Sequence, residues 1–288
     1  MLESLIQAIP ADVLAIAYFK RCATLARRGR PVPFARRLSF AGGLVLLYVS
    51  ILPPLASLDD QVLAWHMVQH LVMGDLAALL LVLGLTGPVL QPLLGLPVLG
   101  RLQALSNPLV ALPLWIVNLF VWHTPFLYQA ALHSTAVHAF QHTCFVGFGM
   151  VMWLALLGPL PAPAWFGNGA RLVYVLVVRL AGTLLANVFI WSGTAFYPDY
   201  HAGEVKHHIS ALTDQGLAGS IMMLEGSIVT LGLFAWLFLR AAAEGERKQG
   251  LLDLAAAQGI ELDERRAARA VAAGRAAELE RRLLEQVD

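Results

Sequence analysis

The sequence predicts an all-α polytopic membrane bundle of seven transmembrane helices followed by a soluble C-terminal helical tail. Three observations carry this. Of 288 residues, 58% are hydrophobic and 14% charged, and the mean hydropathy is +0.66, which lies outside the range of soluble globular domains. Seven segments approach the roughly 20 apolar residues that a helix needs to cross a bilayer core. Lysine and arginine gather between those segments on one side only. The formal net charge of +1, with the basic residues sorted in this way, gives no ground for a nucleic-acid partner.

The expected spans are residues 4–20, 38–57, 61–86, 108–127, 136–157, 171–192 and 216–239, a domain of residues 1–240. The first span is interrupted by Pro10 and Asp12. It lacks the basic start and small-residue cleavage site of a signal peptide, so it is read as a helix. The segment "KRCATLARRGRPVPFARR" carries seven basic residues and places the first connection in the cytoplasm. Arg101, Arg171 and Arg240 fall on the same side, and Lys206 is the lone Lys or Arg of the outer loops. Seven crossings then put the N-terminus outside and the C-terminus in the cytoplasm. Cys22 and Cys144 form no disulfide framework and no Cys-x-x-Cys pair.

Residues 241–288 are a different material, with ten acidic and eight basic residues. Pairs such as Glu261 with Arg265 and Glu278 with Arg282 stand at i,i+4, as in a solvated helix, with a break at Gly259. A solvated tail is the plain expectation, and a docking helix for a cytosolic partner is the alternative.

With this topology all nine histidines lie in the outer half. His66 and His70 open the third span, His123 closes the fourth, and His138 and His142 open the fifth. His133, His201, His207 and His208 sit in outer loops. "HMVQH" and "HAFQH" each set two imidazoles on one helix face, one turn apart. Imidazole binds copper, zinc, iron and nickel, and thioether favours copper(I), so two facing pairs suit a metal ion, with His123 or Met73 completing the set. An interfacial histidine bonded to a backbone carbonyl is the ordinary alternative for any single one. "HMVQH" lacks the glutamate of a zinc protease, and no nucleophile has a base beside it in the membrane. Trp65, Trp122 and Tyr197 at outer span ends and Trp165 at an inner one fit an interfacial belt or core packing.

Three charges remain in the spans. Asp75 and Arg179 come to similar depths, about 9 to 12 Å from the inner face by helical rise, and are expected to form a structural ion pair. Glu225, at the level of His70, is expected either beside the metal ligands or as a protonated core carboxyl.

Four blocks, "AWHMVQHLVMGDLAALLLVLGLTGPVL", "VWHTPFLYQAALHSTAVHAFQH", "GTAFYPDY" and "TDQGLAGSIMMLEG", resemble in order and spacing the CtaG family of Bacillus type, seven-span assembly factors for caa3-type cytochrome c oxidase. The resemblance covers roughly residues 10–240. It implies a multi-pass protein of the bacterial plasma (inner) membrane, a haem–copper oxidase subunit as partner, and copper as the metal. It carries His66, His70, His123, His138, His142 and Asp214 onto the family's motif positions, with Asp214 a further ligand or support. Gln141 and Met223 depart from the carboxylate and tryptophan common there, and the tail after Arg240 lies outside the pattern.

The expected function is therefore a non-enzymatic assembly factor that holds copper at an outer-face histidine cluster and delivers it to the oxidase. A membrane haem protein, with one axial histidine from each of two helices, is the competing expectation. A transporter would need polar groups continuing inward, where only Asp75, Asn187 and Arg179 stand.

Overall fold

Residues 2–95 and 102–285 are described in the structure, a computed structural model. They are helical, with no strand among them. Arg101, expected on the inner side, lies outside the described residues.

The chain opens with α1 (Leu2–Arg27), which Pro10 interrupts without ending. Asp12 is tolerated there because its carboxylate accepts a hydrogen bond from the Tyr48 hydroxyl on α2 (Phe34–Ile51). Tyr18 stacks on Phe40 with ring centroids 3.6 Å apart and donates to the Gly84 carbonyl at 3.0 Å. A single turn, α3 (Leu55–Leu58), leads to the central rod.

That rod is α4 (Leu63–Leu71), a π-helical turn (Val72–Ala77) and α5 (Ala78–Gly84) in direct succession. Short α6 (Gly87–Leu94) and α7 (Leu102–Leu105) follow on its far side. Next, α8 (Pro108–Trp122) begins at a proline whose missing N–H costs nothing in the first turn, with the Asn107 side chain accepting from Leu109 N at 3.0 Å. The chain bends by 70° at His123–Thr124 into α9 (Pro125–His133). Then come α10 (Thr135–Leu157), α11 (Asn168–Trp191), the short α12 (His201–Lys206) and the 47-residue α13 (Ala211–Ala257).

Among the described residues five helices are long and apolar enough to cross a bilayer, and a sixth crossing results if the bent α8–α9 pair counts as one span. The seven expected crossings are thus five or six by length and apolarity. The shortfall is α1, where Asp12, Lys20 and Arg21 dilute a helix that still packs on α2.

The chain packs as two units, Met1–Ile228 and Val229–Asp288. In the first, α2 and α10 lie against the central rod. Backbone approach sets the α10 contact: a Cβ on Gly149 would stand 1.9 Å from the Gly74 carbonyl oxygen. Small residues at such crossings let membrane helices touch backbone to backbone.

The second unit contains the remainder of α13, then α14 (Glu264–Ala272) and α15 (Ala276–Leu284). Gly259 and Gly274, both at positive φ, end the helices before them. Leu251, Ala255, Val271, Leu279 and Leu283 form a small core. Glu278 pairs with Arg282 as expected. Glu261 precedes α14, so it has no helical i,i+4 relation to Arg265, and Glu264 instead pairs with Lys248 at 3.2 Å.

Candidate metal centre

Helical period puts His66 and His70 on one face of α4 and His138 and His142 on one face of α10. The fold turns those faces toward each other. Imidazole nitrogens of His66, His70 and His138 all lie within 4.8 Å of one another, and the three side chains are buried. That spacing is a fraction of an ångström beyond twice a ~2 Å metal–nitrogen bond. The rings of His66 and His138 are nearly parallel, with centroids 5.4 Å apart. His142 joins the group with its ring 4.2 Å from that of His138 and 5.4 Å from that of His70.

His123, the C-cap of α8, sits at the edge of this group and meets Phe145 and Tyr128. Its Nδ1 lies 2.6 Å from the Leu119 carbonyl, an oxygen that can only accept. Nδ1 therefore carries the proton, and Nε2 is left with a lone pair. Such a bond from the far nitrogen is how metal-binding imidazoles are usually oriented.

Both ring nitrogens of His66, His70 and His142, and Nε2 of His123, are buried with no hydrogen-bond partner. Leaving so many polar atoms unsatisfied in one place is costly. Each neutral ring has one lone-pair nitrogen, and a cation that accepts one lone pair from each ring removes the share of that cost falling on those nitrogens, so the donor set fits a nitrogen-loving transition metal.

The other expected site residues fall differently. Asp214 acts as a support: its two carboxylate oxygens accept from Leu63 N at 2.8 Å and Ala64 N at 2.9 Å. It is fully buried and caps the start of α4 from α13. Met73 belongs to the apolar core that contains Tyr18, Phe40, Leu44 and Leu81, and it shares with His142 the wall of a cavity of about 220 Å³. Glu225 stands beside Asp75, with the two carboxyls in hydrogen-bonding contact.

The expected Asp75–Arg179 pair is not formed. Arg179 Nη2 donates to the Met223 carbonyl at 2.9 Å and to Ser227 Oγ at 2.7 Å. Gly226 makes room for that guanidinium, since a Cβ there would lie 2.4 Å from Nη1. A hydrogen bond between the Asp75 and Glu225 carboxyls requires one proton held by the pair. Equal depth along two helices carries no information about which helix faces which.

Three tyrosines cover the histidines, of which Tyr128 and Tyr200 had no role in the sequence reading. Tyr128 stacks on Tyr197 at 4.0 Å, and its hydroxyl meets that of Tyr200 at 2.9 Å. Tyr197 donates to the His123 carbonyl at 2.7 Å. Tyr197 and Trp122 are buried, which is the core-packing side of the expectation for these aromatics. Burial holds the phenols of Tyr197 and Tyr200 well above their ordinary range, so both stay neutral donors. Three of the other histidines make contacts near the surface: His133 with Asp199 at 3.3 Å, His201 with Glu204, and His207 with Gln61.

A profile of the cytochrome c oxidase caa3 assembly factor family (Caa3_CtaG) matches residues 16–244. Two curated relatives, uncharacterized protein Mb0105 of Mycobacterium bovis and uncharacterized protein MT0111 of Mycobacterium tuberculosis, are each 25% identical over 231 residues, covering 73% of this chain and 34% of theirs. The chain thus spans about a third of the length of these relatives. No solved structure matches. The family profile covers most of the chain, including every histidine of the cluster, and the protein belongs to the family of cytochrome c oxidase caa3 assembly factors.

Proposed function

We propose that this assembly factor handles copper at the buried histidine cluster and passes it to a subunit of its haem–copper oxidase. The observation that carries the proposal is the convergence of His66, His70 and His138 within 4.8 Å from two helices more than sixty residues apart in sequence. Three imidazoles, with His142 adjacent, match the ligand type and number of a copper or zinc site. Family membership in oxidase assembly supports copper as the ion, the cargo such an enzyme needs for its own centres.

Within this proposal the chain supplies three things. His66, His70 and His138 offer neutral lone pairs, and His142 provides an alternative ligand so that the ion can move without being released to water. His123 is oriented by Leu119 and placed to share in transfer. The tyrosine cover restricts water, while the outer loop that carries Tyr197 and Tyr200 faces the expected side of delivery. Non-enzymatic action is part of the same proposal.

Axial haem ligation is the competing reading. It needs two imidazoles on opposite faces of a porphyrin, and rings with centroids 4.2 to 5.4 Å apart suit one shared ion better. Purified protein loaded with copper and washed should retain about one ion per chain by elemental analysis, with no Soret band. His70→Ala and His138→Ala should lose the ion while inserting normally, and a co-expressed caa3-type oxidase should lose copper. A Soret band, or unchanged copper in both variants, overturns the proposal.

A further inference from the structure

Six arginines and two glutamates fall between residues 265 and 282 of the C-terminal unit. Four of the arginines, Arg266, Arg269, Arg275 and Arg282, line one cavity of about 220 Å³ together with Glu278. The turn at Gly274, with φ +68°, reverses the chain and brings Arg275 and Arg282 of the α15 arm beside Arg266 and Arg269 of α14. We propose that this arginine-lined cavity is a binding site for a phosphate group.

Gathering like charges is unfavourable without a counter-charge: Arg266 and Arg269 stand at i,i+3, where like charges repel. Glu278 answers Arg282. Among the described residues no carboxylate forms an ion pair with Arg266, Arg269 or Arg275. The shortage is local, since the acidic residues of the tail are concentrated before residue 265.

The arginines are not the polar side of helices that insert into a bilayer. The apolar faces of α14 and α15 are already used, with Ala267, Val271, Leu279 and Leu283 buried inside the unit. What remains outward is a set of planar guanidinium forks, which match tetrahedral oxyanions in paired hydrogen bonds better than any other side chain. The cavity is smaller than the 300 to 1,000 Å³ typical of drug-sized ligands, so it suits a headgroup or a free anion more than a whole nucleotide.

Two sources offer this chemistry. The unit begins at Val229 inside an apolar helix, which keeps it near phospholipid headgroups, and free phosphate is available in solution. The full-length protein in phosphatidylcholine nanodiscs should be compared by hydrogen exchange over residues 264–284 with and without inorganic phosphate, chloride replacing it at equal ionic strength. A second arm replaces part of the phosphatidylcholine with phosphatidylglycerol and omits phosphate. At ten times the Kd, exchange should slow by about tenfold in the arm that holds the true ligand.

Protection in the first arm assigns free phosphate, in the second a headgroup phosphate, and in both the shared chemistry. Arg269→Gln with Arg275→Gln should abolish it, and Arg247→Gln, outside the cavity, should not. If the glutamine variant exchanges faster even without ligand, Arg269→Lys with Arg275→Lys, which keeps charge and loses the forks, takes its place and should weaken protection. Unchanged exchange in both arms, or equal protection in wild type and variants, overturns the proposal.

Discussion

Asp214, on α13, accepts the backbone N–H of Leu63 at 2.8 Å, across 151 residues of sequence. This contact holds the start of α4 three residues before His66, and the carboxylate's other oxygen does the same for Ala64. It is a helix cap delivered from another helix, and it sets the height of the whole first histidine pair.

Removing that cap should cost both stability and metal. Asp214→Ala strands two buried N–H groups and should destabilise by about 1 to 3 kcal/mol. Asp214→Asn keeps one acceptor and should lose less. Thermal unfolding in detergent with bound copper measured beside it checks the order wild type, Asn, Ala; equal loss in both variants would contradict the capping role.

The Asp75–Glu225 bond needs one shared proton, so an amide in place of either carboxyl can supply the hydrogen. Asp75→Asn and Glu225→Gln are expected to fold with nearly unchanged stability. Glu225→Ala leaves Asp75 without that partner and should cost about 1 to 3 kcal/mol. Destabilisation by the amide variants as large as that by alanine would show that both groups are needed as anions.

Gly149 is where α10 touches the π-helical turn. A methyl group at 1.9 Å from the Gly74 oxygen forces the helices apart, so Gly149→Ala should cost about 1 to 3 kcal/mol. Because His138 and His142 travel with α10, bound copper should fall as well, although no ligand is changed. Elemental analysis of folded variant protein distinguishes this from simple loss of expression.

Topology is tested by cysteine labelling of intact cells. Gly203 is unsuitable because a Cβ there would lie 1.8 Å from the Gln61 carbonyl oxygen, and the neighbouring exposed Ala202 serves instead. Cysteine at Ala202 should react with an impermeant reagent from outside, and cysteine at Gly250, whose surroundings are open, should not. The opposite result moves the histidine cluster to the cytoplasmic side and removes its access to an outer copper centre.

By itself the sequence determined the helical class, the membrane character and the pairing of His66 with His70 and of His138 with His142 on helix faces. These follow from local quantities: side-chain hydropathy, and a helical period that acts over four residues. Only the tertiary structure decided that the two faces meet, that Asp214 caps the start of α4, that Met73 lies in the apolar core and that Asp75 bonds to Glu225 instead of Arg179. Each of these joins residues on different helices, and the rotation of a helix about its own axis is set by packing such as the Gly74–Gly149 contact. Tyr197 shows the same division. An aromatic at a span end reads equally well as an interfacial anchor or a buried donor, and the His123 carbonyl 74 residues away made it the latter.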